Sequence, residues 1–341
     1  MKHRFSPRGV LIFALGVVVS CSAPRHYQLT RLTANEKGQA EHLDPNLVNG
    51  WGLTLVPNGP IFITATGTGL AISYNAQGLP QKQIIAVPSA RGTGLGTPAG
   101  IVLNSSNEFD AGGAPATFLF GTLDGTISGW SPANGNNAVI LVNNSSSGAS
   151  YNGLAITNGV SGKNYVYTPD FTNNRVDVYD GKLNFVTSLM DTTIPMGFVP
   201  LNVQDIVGRV YVAYANANPS VGGGFIDIFQ EDGTFVRRLA EGEPLNQPYG
   251  FAIAPVNFGP LSNTLLISNN TNTGTINGFD LRTGKFVGTI TDAEGQPIVI
   301  DQIWGIGFGG GTGINGQTNQ LFFAAGPHNN NDGLFGMIEF K

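Results

Sequence analysis

Cysteine is nearly absent from this 341-residue chain, which has Cys21 and no other. An intramolecular disulfide and a thiolate metal site are therefore excluded, and packing has to hold the fold. Charge is scarce as well. Asp, Glu, Lys and Arg make up 11% of the residues, the net charge is -5, and Lys and Arg do not cluster beyond the N-terminus. Nucleic acid is thereby excluded as a partner, because neutralising phosphates needs a basic patch. With so little Glu, Lys and Arg, long soluble helices are out of place too. Four histidines, His3, His26, His42 and His328, are too dispersed for zinc, which wants several N or S ligands. What is present is a hydrophobic fraction of 41% and 48 glycines, with abundant Asn. That balance suits a real core built from many short strands joined by turns that need positive φ or side-chain-to-backbone bonds.

The N-terminus, MKHRFSPRGVLIFALGVVVSCSAP, places Lys2, His3, Arg4 and Arg8 before an apolar run from Val10 to Val19 and then small residues. This is the pattern of a secretory signal peptide over residues 1–20. The run falls short of the about 20 residues that span a bilayer. Cys21 closes VVSC, which resembles the bacterial lipobox, and the resemblance implies a lipid on Cys21 and, with Ser22 beside it, outer-membrane sorting. The alternative is cleavage after Ala23 and release as a secreted or periplasmic protein.

Self-similarity follows. NQPYGFAIAP at Asn246 has counterparts beginning near positions 46 (NLVNGWGLTLVP), 97 (TPAGIVLN), 149 (ASYNGLAITN), 198 (FVPLNVQDI) and 301 (DQIWGIGFG), spaced by about 50 residues. Periods of this size mark repeat architectures. Each copy continues into a second apolar run such as IFITAT or LLISNN, then a third such as RVDVYD or FIDIFQ. A fourth, such as KQIIAVP or FVRRLAE, closes the first five copies, and the sixth reaches Lys341 without one. The alternating segment YQLTRLT, from Tyr27 to Thr33, stands unpaired before the first copy. The pattern predicts an all-β, six-bladed β-propeller of four-stranded antiparallel blades over residues 46–341. Residues 21–45 supply the lipid site and a strand that completes the last blade and closes the ring. Glycine before an apolar residue in the opening phrase suits innermost strands that approach closely around an axis.

The phrasing resembles NHL-type and gluconolactonase-like propellers. LDPNLVNGWGL, DGTISGW, PLNVQDIVGRVYVAYA, GFIDIF with DGTFVRRL, and IDQIWGIGFG with DGLFG more closely resemble an uncharacterised bacterial propeller family, some members of which carry a PEP-CTERM surface-sorting tail. The resemblance implies fold and export, and carries no activity.

In propellers, loops leading into innermost strands and those joining second to third strands gather on one face, here termed the top face, where ligands commonly bind. The first set offers Asn49, Trp51, Asn152, Asn202, Gln204, Tyr249, Asp301 and Trp304; the second offers Asp124, Asp170, Asn269, Asn270, His328 and Asn329. Trp51, Tyr249 and Trp304, on neighbouring blades once the ring closes, could form a rim for a sugar or aromatic ligand, or plug the channel as packing. Asp124, Asp170 and Asp301 with Asn152 could hold Ca²⁺, as a lactonase-like hydrolase would require; Asp in a Gly-rich turn more often caps its own backbone. His328 could act as a base if a carboxylate lay nearby. No nucleophile elbow or phosphate loop is present, GTGLGT reading as a blade linker. The expected role is a cell-envelope binding or scaffold module for a protein, glycan or small ligand, with the membrane reached only through the lipid. A metal-dependent hydrolase is the alternative.

Overall fold

A computed structural model describes Met1, residues 25–157 and residues 162–341. The signal segment, Cys21 and the proposed cleavage after Ala23 lie outside the described residues. The chain forms six four-stranded antiparallel blades, so the propeller expected from the repeats is the fold observed. Blade 1 comprises Gly50–Leu55, Ile61–Ala65, Leu70–Tyr74 and Pro80–Ala86. Blade 2 comprises Pro98–Leu103, Phe118–Thr122, Thr126–Trp130 and Val139–Asn143, and blade 3 Ala155–Thr157, Tyr165–Asp170, Arg175–Asp180 and Phe185–Leu189. Blade 4 takes Phe198–Asp205, Val210–Asn216, Phe225–Phe229 and Phe235–Glu241, and blade 5 Pro248–Ile253, Leu265–Asn269, Ile276–Phe279 and Phe286–Thr289. Blade 6 contributes Ile303–Phe308, Gln320–Ala325 and Leu334–Phe340, and its fourth strand is Tyr27–Ala34.

That closing strand runs antiparallel to Leu334–Phe340, pairing Tyr27 with Phe340, Leu29 with Ile338 and Ala34 with Leu334. Its register slips by one residue between Arg31 and Thr33. The Tyr27 hydroxyl donates to Phe258 O at 2.8 Å and accepts from Leu261 N at 3.1 Å, which ties the closure to blade 5. A short strand, His42–Leu43, then pairs in parallel with Thr33 and Ala34 and gives this blade a fifth member that the repeats did not foretell. Two residues carry no periodicity to read.

Middle strands of a blade are packed on both faces, which is why IFITA and FLFGT are wholly buried and apolar almost throughout. Blade-on-blade packing fills the spaces between neighbours: Phe62 and Ala71 meet Phe118 and Phe120, and Leu119 and Ile127 meet Tyr151 and Val166. Tyr167 and Val176 meet Val203 and Val212, and Tyr211 and Ile226 meet Phe251 and Ile267. Leu266 and Ile276 meet Phe323 and Ile338, and Phe322 and Phe335 meet Ile61 and Ile72 to complete the circle. The hydrophobic interior is thus a ring of interfaces, and an additional apolar cluster sits on the axis.

Candidate functional site

One position of the repeat builds the axial cluster. Trp51, Ala99, Asn152, Leu201, Tyr249 and Trp304 occupy the same place at the start of the six innermost strands, and each is buried. The Trp51 and Trp304 rings stack at 3.6 Å with 15° between planes, and Tyr249 stands edge-on to Trp304 at 5.0 Å. The Tyr249 hydroxyl crosses to blade 3 and donates to Asn152 O at 2.8 Å, and burial raises its pKa. Trp51, Tyr249 and Trp304 therefore meet one another as a plug, the packing alternative to an open rim, each less than 7% exposed.

The next residue explains why backbones can approach this closely. It is Gly52, Gly100, Gly153, Gly250 and Gly305 in five blades. A Cβ on Gly100 would sit 2.7 Å from the Gly153 carbonyl carbon, and one on Gly250 would sit 2.6 Å from Trp304 O. Blade 4 has Asn202 instead, whose amide crowds the space beside Gly153 and donates to Tyr249 O at 2.8 Å. Second-strand hydroxyls bridge blades in the same layer. Gly52 N donates to Thr64 Oγ1, which donates to Ala99 O, both at 2.8 Å; Gly250 N, Ser268 Oγ and Trp304 O repeat the relay at 2.8 and 2.7 Å.

Below the plug, the innermost strands enclose an axial cavity of about 480 Å³. Each of these strands has a sheet neighbour on one side only, so its other edge presents backbone N–H and C=O groups to the axis. Between those edges stand Leu53, Val102, Ile156 and Phe308, with Thr54, Asn202, Gln204, Asp205 and Tyr249 as the polar side chains. Burial raises the Asp205 pKa, nearby Glu231 adds to the rise, and the Gly208 and Arg209 N–H groups oppose it. Among the described residues, Asp205 Oδ1 is buried without a hydrogen-bond partner. This geometry suits a small polar ligand able to pair with strand edges and supply a donor to Asp205.

Gln204, expected at the top face, instead lies late in its strand on the cavity wall. Asp205 was missed, although a signal existed: the later halves of the innermost strands read LTL, IVL, LAI, FAI and IGF, and blade 4 alone reads VQD. The remaining top-face candidates are separated by their local roles. Asp124 Oδ2 accepts from Ala90 N at 2.7 Å. Asp170 caps Ser150 N at 3.1 Å and holds the Asn173 amide at 2.7 Å. Asp301 Oδ2 accepts from His328 N at 2.9 Å. Among the described residues, no group of three or more His, Cys, Asp and Glu is placed to hold a metal ion. Asp124, Asp170 and Asp301 are thus not brought together as the Ca²⁺ reading requires. His328 does gain the carboxylate that its reading asks for, since Nδ1 pairs with Asp332 Oδ2 and this raises the imidazole pKa. Asn269 Oδ1 accepts from Asn246 N at 3.0 Å and Asn270 Nδ2 donates to Ile303 O at 3.1 Å, so both serve blade junctions.

No family model matches the chain. It is 30% identical over 335 residues to uncharacterized protein R648 of Acanthamoeba polyphaga mimivirus, covering 92% of this chain and 80% of the relative. The chain belongs to the family of that giant-virus protein. A second member from the same virus, uncharacterized protein L690, is 28% identical over 92% of this chain and 85% of its own length. These relatives are viral, and the resemblance to a bacterial propeller family with PEP-CTERM members is not what they show. Among solved structures, an auxiliary nutrient binding protein from Bacteroides thetaiotaomicron aligns with a TM-score of 0.60 at 11% identity, over 93% of this chain and 77% of that one. Virginiamycin B lyase from Staphylococcus aureus aligns with a TM-score of 0.56 at 12% identity, over 92% and 99%. At such identities the likeness establishes the propeller fold alone.

Proposed function

We propose that this protein is an exported, lipid-anchored propeller that binds a small polar ligand in its axial cavity. The observation that carries the reading is the cavity itself: closed by the Trp51, Tyr249 and Trp304 plug, walled by unpaired strand edges, and polar where Gln204 and Asp205 stand. Binding is favoured over metal-dependent hydrolysis because Asp124, Asp170 and Asp301 are engaged separately in holding backbone turns. The structural likeness to a nutrient binding protein agrees with a binding role. Export and attachment rest on the basic, apolar and VVSC segments of the N-terminus, with Cys21 as the lipid-bearing residue and the outer membrane as the address.

Gln204→Trp tests the site by filling the cavity from its wall. In a thermal-shift screen of neutral sugars, amides and short peptides, a ligand should raise the Tm of the parent and not that of the variant. A ligand that stabilises both equally would place binding elsewhere and end the axial reading. Palmitate labelling that disappears in Cys21→Ala tests the anchor separately; an unlabelled parent would favour cleavage after Ala23.

A further inference from the structure

A second, smaller cavity of about 120 Å³ lies away from the axis, where the closing strand meets the blade 6 loop that follows Ala325. Its wall combines apolar Leu29, Ile300 and Leu334 with Arg31, Asp301 and His328. Three features set it apart from an ordinary surface crease. First, His328, Asn329 and Asn330 take φ values of 55°, 56° and 64°, three consecutive non-glycine residues in the left-handed region. Each such residue costs of order 1 kcal/mol, and runs of them concentrate where a side chain must be presented in a set way. The loop is fixed at both ends: Asp301 Oδ2 takes the His328 N–H, and Trp304 Nε1 donates to Asn330 Oδ1 at 3.0 Å. Second, Asp332 occupies Nδ1 of His328, orienting the ring and leaving Nε2 as its remaining polar atom. Third, among the described residues Asp301 Oδ1 is buried with no hydrogen-bond partner, and Arg31 brings a guanidinium to the same wall with no described carboxylate within salt-bridge distance. The buried acceptor and the exposed Arg31 guanidinium mark two polar ends of the pocket, with Glu36 and Asp332 also on its wall.

We infer that this pocket binds a small carboxylate bearing a hydroxyl or ammonium group on the adjacent carbon and a short apolar side chain. The carboxylate lies against Arg31 and the His328 ring, the adjacent donor satisfies Asp301 Oδ1, and the side chain packs on Leu29, Ile300 and Leu334. Glu36, which also borders the cavity, disfavours ligands carrying a second negative charge. The site is independent of the axial cavity, and the two readings stand or fall separately.

The test uses full-length protein labelled with ¹³C at histidine Cε1, the His328 resonance being assigned by its loss in His328→Gln. L-valine and 2-hydroxyisovalerate are the probes, with isobutyrate, lacking the adjacent donor, and isobutylamine, lacking the carboxylate, as controls. Either probe should shift the His328 resonance saturably. Arg31 is exposed, so Arg31→Gln should fold normally and raise the Kd about tenfold or more, the loss of one charge-assisted contact. Gln204→Trp should leave this Kd unchanged, which separates the pocket from the axis. No saturable shift up to tens of millimolar, an unchanged Kd in Arg31→Gln, or isobutylamine binding as tightly as valine would each overturn the proposal.

Discussion

Tyr249 shows how one side chain can organise an axis. It fills space against Trp304, sends its hydroxyl to Asn152 O, and receives the Asn202 amide on its own carbonyl. Tyr249→Ala should destabilise the protein by about 3–5 kcal/mol, the range for removing a large buried ring that its neighbours cannot replace; urea denaturation measures it, and a loss under about 1 kcal/mol would mean the plug is not packed as described. Asp227 allows a pH prediction. It is buried in blade 4 with Arg238 at 3.0 Å, and Arg238 also reaches Asp191 at 2.8 Å. Burial, the largest cause, and the neighbouring Asp191 push the Asp227 pKa up to about 7, against the pull of Arg238. The unfolded value is about 3.9, so between these pH values the folded state holds the proton more tightly. This contribution is fully present below about pH 4 and is lost as pH rises through 7. The urea midpoint should therefore fall from pH 5 to pH 7.5, and Asp227→Asn should flatten that slope. An identical slope in the variant would assign the effect to other groups.

At the scale of elements, the closing strand is the informative case. Tyr27 is nearly fully buried against Phe258 and Phe340, with ring centroids at 5.0 and 5.1 Å. Tyr27→Phe keeps those contacts but leaves Phe258 O and Leu261 N without their buried partner, and should cost about 1–3 kcal/mol in denaturant melts. A neutral substitution would mean that water replaces the hydroxyl. The strand itself was legible because YQLTRLT alternates and the last repeat lacks its fourth member. Its companion His42–Leu43 was not, because backbone hydrogen bonds to the closing strand, Glu41 N to Arg31 O at 3.1 Å and Asp44 N to Ala34 O at 2.9 Å, hold it whatever its side chains.

For the whole molecule, ring closure joins residues about three hundred apart, as in the pairing of Tyr27 with Phe340. Lys341 N already donates to His26 O at 2.9 Å. A circular permutant that links Lys341 to His26 by a short Gly-rich turn and opens at Gly38, in an exposed loop, should keep native stability. It should also refold faster, since the slowest contact becomes a hairpin. Refolding no faster than the parent, in stopped-flow fluorescence of the buried tryptophans, would show that closure is not rate-limiting.

The sequence by itself determined the blade count, the strand order and the exchange that closes the ring. These follow from spacing and from middle strands that must be apolar on both faces, which are properties a linear text carries. It also marked the residues on the axis, through a glycine that tolerates close backbones and a variable neighbour before it. The tertiary structure decided what those neighbours do. Whether Trp51 and Trp304 stack across the top or stand open as a rim depends on rotamers and on the distance between strands remote in sequence, and their contact at 3.6 Å closes the top. That closure moves the axial cavity below the plug, where Gln204 and Asp205 become its polar wall. It likewise took the fold to set Arg31, Asp301 and His328 around one pocket, because residues hundreds of positions apart meet only when the ring shuts.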